Sequence, residues 1–194
     1  MKKLLLALLL IITYKASAQD SLRYYNQQRY HITTTGMKVL GSWGIANTVA
    51  GGIGWASSSG QTKYFYQMNT FWGIANIGAA VLGYTGAQNG KDKNYTAGET
   101  LKEQKKIQKI FLINAGLDVA YIGTGIYLNH RGDTHTNDKL KGYGKAVILQ
   151  GAFLLLFDAT MYGTHHSNGS KLRNFLERNP VTFDGSKVGM LIRL

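Results

Sequence analysis

One five-residue string occurs twice: Trp43-Gly44-Ile45-Ala46-Asn47 returns 29 residues later as Trp72-Gly73-Ile74-Ala75-Asn76. The register holds beyond the string, pairing Ala50 with Ala79 and Gly54 with Gly83. In each copy a residue recurs every fourth position, Ser42, Ala46, Ala50 and Gly54 in the first and Phe71, Ala75, Ala79 and Gly83 in the second. That spacing places each set on one helical face, and small residues let two backbones approach closely. Glycine inside a helix costs about 1 kcal/mol relative to alanine in water, so helices this rich in it need tight packing to persist. The expectation is a hairpin of two helices docked through their small faces, with Asn47 and Asn76 bonding between helices.

Composition fits that expectation. The 194 residues suit one domain, and 24 glycines beside a single proline, without a Gly-X-Y period, exclude collagen and proline-rich disorder. No cysteine is present, which excludes a disulfide framework, a thiolate metal site and acylation. At the start, Lys2 and Lys3 precede an apolar run over residues 4–12, followed by polar residues and Ala16-Ser17-Ala18. This order predicts a secretory signal peptide cleaved after Ala18, since the apolar run is far short of the roughly 20 residues needed to span a bilayer. Cleavage removes three lysines and takes the formal charge from +12 to +9.

Downstream, residues 19–36 mix Arg23, Tyr24, Tyr25, Arg29 and Tyr30, a composition suited to a short interfacial helix. Four apolar segments follow, over 37–56, 64–84, 110–128 and 145–163. They are separated by a short Ser/Gly turn at 57–63, a loop at 85–98 with helix resuming from Glu99, and a second polar loop at 129–141. A polar tail, 167–194, carries a brief amphipathic stretch at 172–176, a stop at Asn179-Pro180, a turn at Asp184-Gly185 and an extended end. The predicted fold is all-α, a four-helix transmembrane bundle of two helical hairpins within a domain spanning 37–166.

Several strings carry a family resemblance: Gly36-Met37 with Leu40-Gly41-Ser42-Trp43, Thr62-Lys63-Tyr64-Phe65 with Gln67-Met68-Asn69, and Asn114-Ala115-Gly116-Leu117-Asp118. Lys141-Gly142-Tyr143-Gly144 and Leu149-Gln150-Gly151 with Asp158 complete the set. Between Gly36 and His166 the chain resembles a family of small exported bacterial membrane proteins of unassigned function. The resemblance implies a four-helix membrane protein and brings no catalytic residues with it.

The third and fourth apolar segments each hold one aspartate. A carboxylate at the bilayer centre costs about 2.5–3.5 kcal/mol even on lenient scales, so Asp118 and Asp158 must face the bundle interior or be protonated. Asn114 shares the face of Asp118, and Gln150 and Tyr162 are placed with Asp158. These five residues form a candidate intramembrane polar site. It has two readings: interhelical hydrogen bonding that fixes the bundle's register, or a pathway for protons or small cations. His165 and His166 sit at a polar helix end and point in different directions, a poor metal site. No GxSxG, Walker loop or nucleotide fingerprint occurs, so no catalytic or cofactor-binding residues are assigned and none are expected.

The charge has its own pattern. Lys102, Lys105, Lys106 and Lys109, and Lys139, Lys141 and Lys145, flank apolar segments as lipid-contacting or solvated faces do, and an exported chain has no nucleic-acid partner in prospect. With the signal cleaved, four spans place 14 Lys/Arg outside and 5 inside, the reverse of the positive-inside bias. The inner membrane is nevertheless favoured over the outer membrane or periplasm, because four segments near spanning length are hard to bury in a soluble domain this small. The expected function is therefore non-enzymatic: a structural or accessory component of the cell envelope. Its partners are the lipid bilayer and, through glycine-rich faces, other membrane proteins or further copies of itself. The alternative is a small proton or cation transporter using Asp118 and Asp158.

Overall fold

The computed structural model describes the backbone of residues 2–179, 181–183 and 188–190, and side chains over 20–179. Four helices make the body: α1 (Lys2–Ser57), α2 (Gly60–Gly90), α3 (Ala97–Thr134) and α4 (Asp138–Arg178). A small antiparallel hairpin, β1 (Val181–Phe183) and β2 (Val188–Met190), comes after them. The expected turn at Asp184-Gly185 and the expected end at 191–194 lie outside the described residues.

The helices pack as two hairpins, α1 with α2 and α3 with α4, and α4 joins the hairpins by packing on α2 and on α1. The bundle has a turn end, which carries the α1–α2 and α3–α4 turns, and an opposite, open end, which carries the α2–α3 connection. Turns are tighter than polarity suggested: the expected loops over 85–98 and 129–141 shrink to 91–96 and 135–137. Local bonds explain why polar residues stay helical. Thr85 Oγ1 donates back to the Val81 carbonyl at 2.8 Å. Thr96 caps α3, its hydroxyl accepting from Glu99 N–H while the Glu99 carboxylate accepts from Thr96 N–H at 2.8 Å. Asn137 caps α4 by accepting from Leu140 N–H. At the α1–α2 turn Gly60 adopts φ +54, a left-handed geometry that glycine tolerates best.

No separate interfacial helix exists. Residues 20–36 continue α1, and the expected boundaries after 36 and after 166 both fall inside unbroken helices. At the open end α1, α3 and α4 run on together beyond the apolar segments. Leu22, Ala97 and Leu172 are buried there, with Tyr25, Leu101, Phe175 and Leu176 against them. The expected amphipathic stretch at 172–176 is thus the last part of α4.

Where the helices cross, the duplicated motif meets itself. A Cβ on Gly44 would lie 2.8 Å from the Gly73 carbonyl oxygen, and one on Gly73 would lie 2.7 Å from that of Gly44. Equivalent positions of the two copies therefore face one another across an antiparallel pseudo-twofold. Gly125 and Gly144 make the corresponding close approach between α3 and α4. The small-residue stripe expected to dock α1 on α2 is corrected in part: Ser42, Ala46, Ala50, Phe71, Ala75 and Ala79 are exposed. The contact instead uses Gly44, Asn47, Gly51 and Gly54 on α1 and Asn69, Thr70, Gly73 and Asn76 on α2, together with Gly83 against Met37. The physical reason is period. A strict four-residue repeat drifts around a 3.6-residue helix, whereas alternating steps of three and four stay on one side.

Polarity is inverted in the middle of the bundle. Among the described residues nineteen large hydrophobics are exposed, and all but Tyr24 lie within the four apolar segments; examples are Ile53 at 66 %, Leu82 at 74 % and Leu156 at 72 %. Over the same segments Asn47, Asn69, Asn76, Asp118, Gln150 and Asp158 are buried. Among the described residues two helices, α3 and α4, are long and apolar enough to cross a membrane; in α3 only 17 % of the most apolar 18-residue stretch is buried. Over residues 20–57 of α1 and over α2 the chain falls below that apolarity, since glycine and inward-facing asparagines dilute it.

Candidate functional site

Of the five residues expected to form one intramembrane site, four divide between two clusters. Gln150, wholly buried on α4, sits among amides of the α1–α2 hairpin. Its Oε1 accepts from Trp43 Nε1–H at 2.9 Å and from Asn76 Nδ2–H at 3.3 Å. Its Nε2 donates to Asn47 Oδ1 at 2.8 Å and to Asn69 Oδ1 at 2.6 Å. A carboxamide has two donor hydrogens and two acceptor lone pairs, so every position is used. Asn47 and Asn69 donate in turn to the carbonyls of Trp43 and Phe65. Both copies of the duplicated motif thus converge on one side chain, Asn47 and Asn76 among its ligands. The sequence alone gives Trp43 and Asn69 no role, although Asn69 and Asn76, seven apart, share a helix face.

The second cluster joins α3 to α4. Asp118, 2 % exposed, and Asp158, 4 % exposed, are neighbours in the interior, with Asn114 beside Asp158. Two carboxyls placed together in an apolar interior disfavour simultaneous ionisation. Asp118 Oδ2 is enclosed and has no hydrogen-bond partner. Tyr162 joins neither cluster; it packs on the core around Met37 and Phe157, beside His166.

The carboxyl pair forms the floor of a groove of about 580 Å³ between α2 and α3. These two helices barely touch, except where the Trp72 and Tyr121 rings meet edge-to-face at 5.1 Å. Met37, Leu40, Ile107, Phe111 and Phe157 line its middle, with Ala75, Ala79 and Gly83 along the α2 wall. Asn26, Arg29, Tyr95, Glu103 and Lys106 stand at the open end. Leu82, Ile110 and Leu117 on the rim are themselves exposed, which makes the groove continuous with the outer apolar surface. Ala46 and Ala50 line a separate hollow of about 220 Å³ beside Trp43 and Leu149.

Beyond the apolar segments, His165 is fully buried, stacked on Phe111 at 5.5 Å, while His166 is exposed. Thr33 spends its hydroxyl proton on the Arg29 carbonyl, so the His165 ring donates from Nε2 to Thr33 Oγ1, leaving Nδ1 without a partner. Burial, with the nearby Arg29 charge, pushes His165 down to about 4. Gln104 and Gln108 donate to its carbonyl at 2.7 and 3.0 Å, and Asn168 donates to Gln104. His165 is a core residue of the open end, apart from the groove's lining.

No curated protein and no solved structure matches the chain. A family model described as a family of unknown function, DUF6992, matches residues 39–159, which hold both copies of the motif, the Gln150 cluster and both aspartates. The match spans well over half of the 194 residues, and the chain belongs to this family.

Proposed function

We propose that the chain is a four-helix integral membrane protein of the cell envelope that works without catalysis, as an accessory component whose α2–α3 groove receives an amphiphile from the bilayer. The observation that carries this reading is the inverted polarity. A belt of exposed aliphatic side chains surrounds buried amides and carboxyls, and the groove opens through that belt. Soluble monomers rarely expose contiguous apolar patches beyond a few hundred Å². Within the four segments the charged residues are Lys38 and Lys145 near the segment ends and the two buried aspartates. Among the described residues, none lining the groove comes from the turn end, which favours a dead-ended pocket over a proton or cation path. The signal is removed after Ala18 and the bundle resides in the inner membrane.

Alkaline extraction of membranes from expressing cells, with inner and outer membranes separated on a density gradient, tests this. The protein should stay in the inner-membrane pellet, begin at Gln19 and need detergent for release. Recovery as a soluble monomer without detergent refutes the membrane reading. Proton or cation flux in liposomes that disappears on replacing both aspartates by asparagine refutes the binding reading.

A further inference from the structure

Resting on the reading of the α2–α3 groove as an amphiphile site, we propose that its ligand is a lipophilic amine whose ammonium group binds the Asp118–Asp158 pair and whose chain lies along the groove. The floor is rich in acceptors and poor in donors. Two carboxyls meet there, Asp118 Oδ2 is enclosed without a hydrogen-bond partner, and Asn114 lines the groove beside them. The pair is buried in surroundings that are otherwise apolar, where a carboxylate without a partner is costly. An ammonium group supplies both the opposite charge and up to three N–H donors. Trp72 and Tyr121 meet at the same level, and aromatic faces also attract cations.

The remaining geometry suits a chain. From Asp118 to Glu103 the groove follows α3 for 15 residues, about 22 Å at 1.5 Å per residue. Its volume of about 580 Å³ lies within the range of ligand pockets, roughly 300–1,000 Å³. The competing arrangement places an anionic head at the open end, on Arg29 and Lys106. It leaves an apolar tail against the carboxyl pair and leaves Asp118 Oδ2 unpaired. Glu103 beside those cations further reduces their attraction for an anion.

The test uses the full protein in nanodiscs, with radiolabelled tetradecylamine, tetradecanol and tetradecanoate as probes at neutral pH. The amine should bind saturably, one per chain, and outcompete the other two. Asp118→Asn, which keeps the shape of the side chain and can donate to Asp158, should weaken amine binding roughly thirty-fold or more while leaving the thermal unfolding midpoint in place. Ala79→Trp fills the groove without touching either carboxyl, and should abolish binding even if Asp118→Asn fails to fold. Equal binding of the alcohol, preference for the tetradecanoate, or undiminished amine binding by a folded Asp118→Asn protein each overturns the amine assignment while leaving an amphiphile groove. Saturable binding of none of the three probes overturns the groove reading as well.

Discussion

Replacing Gln150 by leucine is the most direct test of what holds the two hairpins together. Leucine fills most of the glutamine volume, so the change removes hydrogen bonds with little cavity. Four are lost: those from Trp43 Nε1 and Asn76 Nδ2, and those to Asn47 Oδ1 and Asn69 Oδ1. Side-chain hydrogen bonds within membrane bundles average about 0.6 kcal/mol and reach about 1.7, so four together amount to about 2–3 kcal/mol, with a ceiling near 7. The lower figure applies if the orphaned groups find other partners once the helices loosen. Asn47 and Asn69 each retain a bond to a backbone carbonyl, which supports it. Equilibrium unfolding in bicelles by steric trapping measures the loss directly. Trp43 offers a local readout, because its ring stacks on Phe153 at 4.0 Å and its N–H points at Gln150. Its near-ultraviolet dichroism should weaken in Gln150→Leu while helicity persists. Stability within about 0.5 kcal/mol of the parent, below the average worth of one such bond, would falsify the view that this amide joins the hairpins.

Two further outcomes rest on particular contacts. Alanine at Gly44 or Gly73 brings a methyl onto the partner's backbone carbonyl, so each should lose about 1–3 kcal/mol and the two should be similar, as their pseudo-twofold relation requires. Alanine at Gly52 or Gly78, which meets nothing within 4 Å, should be neutral or stabilising by up to about 1 kcal/mol; equal loss at all four positions removes the crossing-point argument. At the open end, His165 is neutral when folded and titrates near 4, below its unfolded value of 6.5. Protonation therefore favours the unfolded chain, and stability should fall from about pH 6.5 down to about 4, by on the order of 3 kcal/mol. Unfolding measured across that range should flatten in His165→Gln, and an unchanged slope contradicts the assignment.

Much of the architecture was legible because duplication and apolar length survive any choice of scale. The four segments, their hairpin order and the role of Asn47 and Asn76 in holding helices together all rest on residues visible in the string. The extent of the helices was not. Polar stretches such as 85–90 and 129–134 read as loop because polarity usually marks connection, yet the helices simply extend past the apolar belt. The Thr96-x-x-Glu99 pair is a recognisable capping box and places the α3 start correctly once it is weighed. The docking face was misassigned for a different reason. Exact four-residue spacing selected Ala46 and Ala50, while the 3.6-residue turn selects Gly44, Asn47 and Gly51.

The division of the polar site shows where one-dimensional reasoning runs out. Gln150 and Asp158 are eight residues apart on α4, about 12 Å along the axis, so they cannot serve one small site with a single partner. Counting from the turn end, Asp118 lies 16 residues into α3, about 24 Å, while Gln150 and Asp158 lie 12 and 20 residues into α4, about 18 and 30 Å. Asp118 is therefore equidistant in level from both, and axial arithmetic cannot choose between them. The choice is made laterally. Gln150 turns toward the α1–α2 hairpin, where Asn69 and Asn76, two turns apart on one face of α2, flank it, and Gly151 beside it lets the Asp118 backbone approach so closely that a Cβ would lie 3.2 Å from the Asp118 carbonyl oxygen. That approach directs the Asp118 side chain past Gln150 and onto Asp158 at the floor of the groove. The amide that secures the hairpins is thereby satisfied by protein alone, and the carboxyl pair is left as the polar group with capacity for something else.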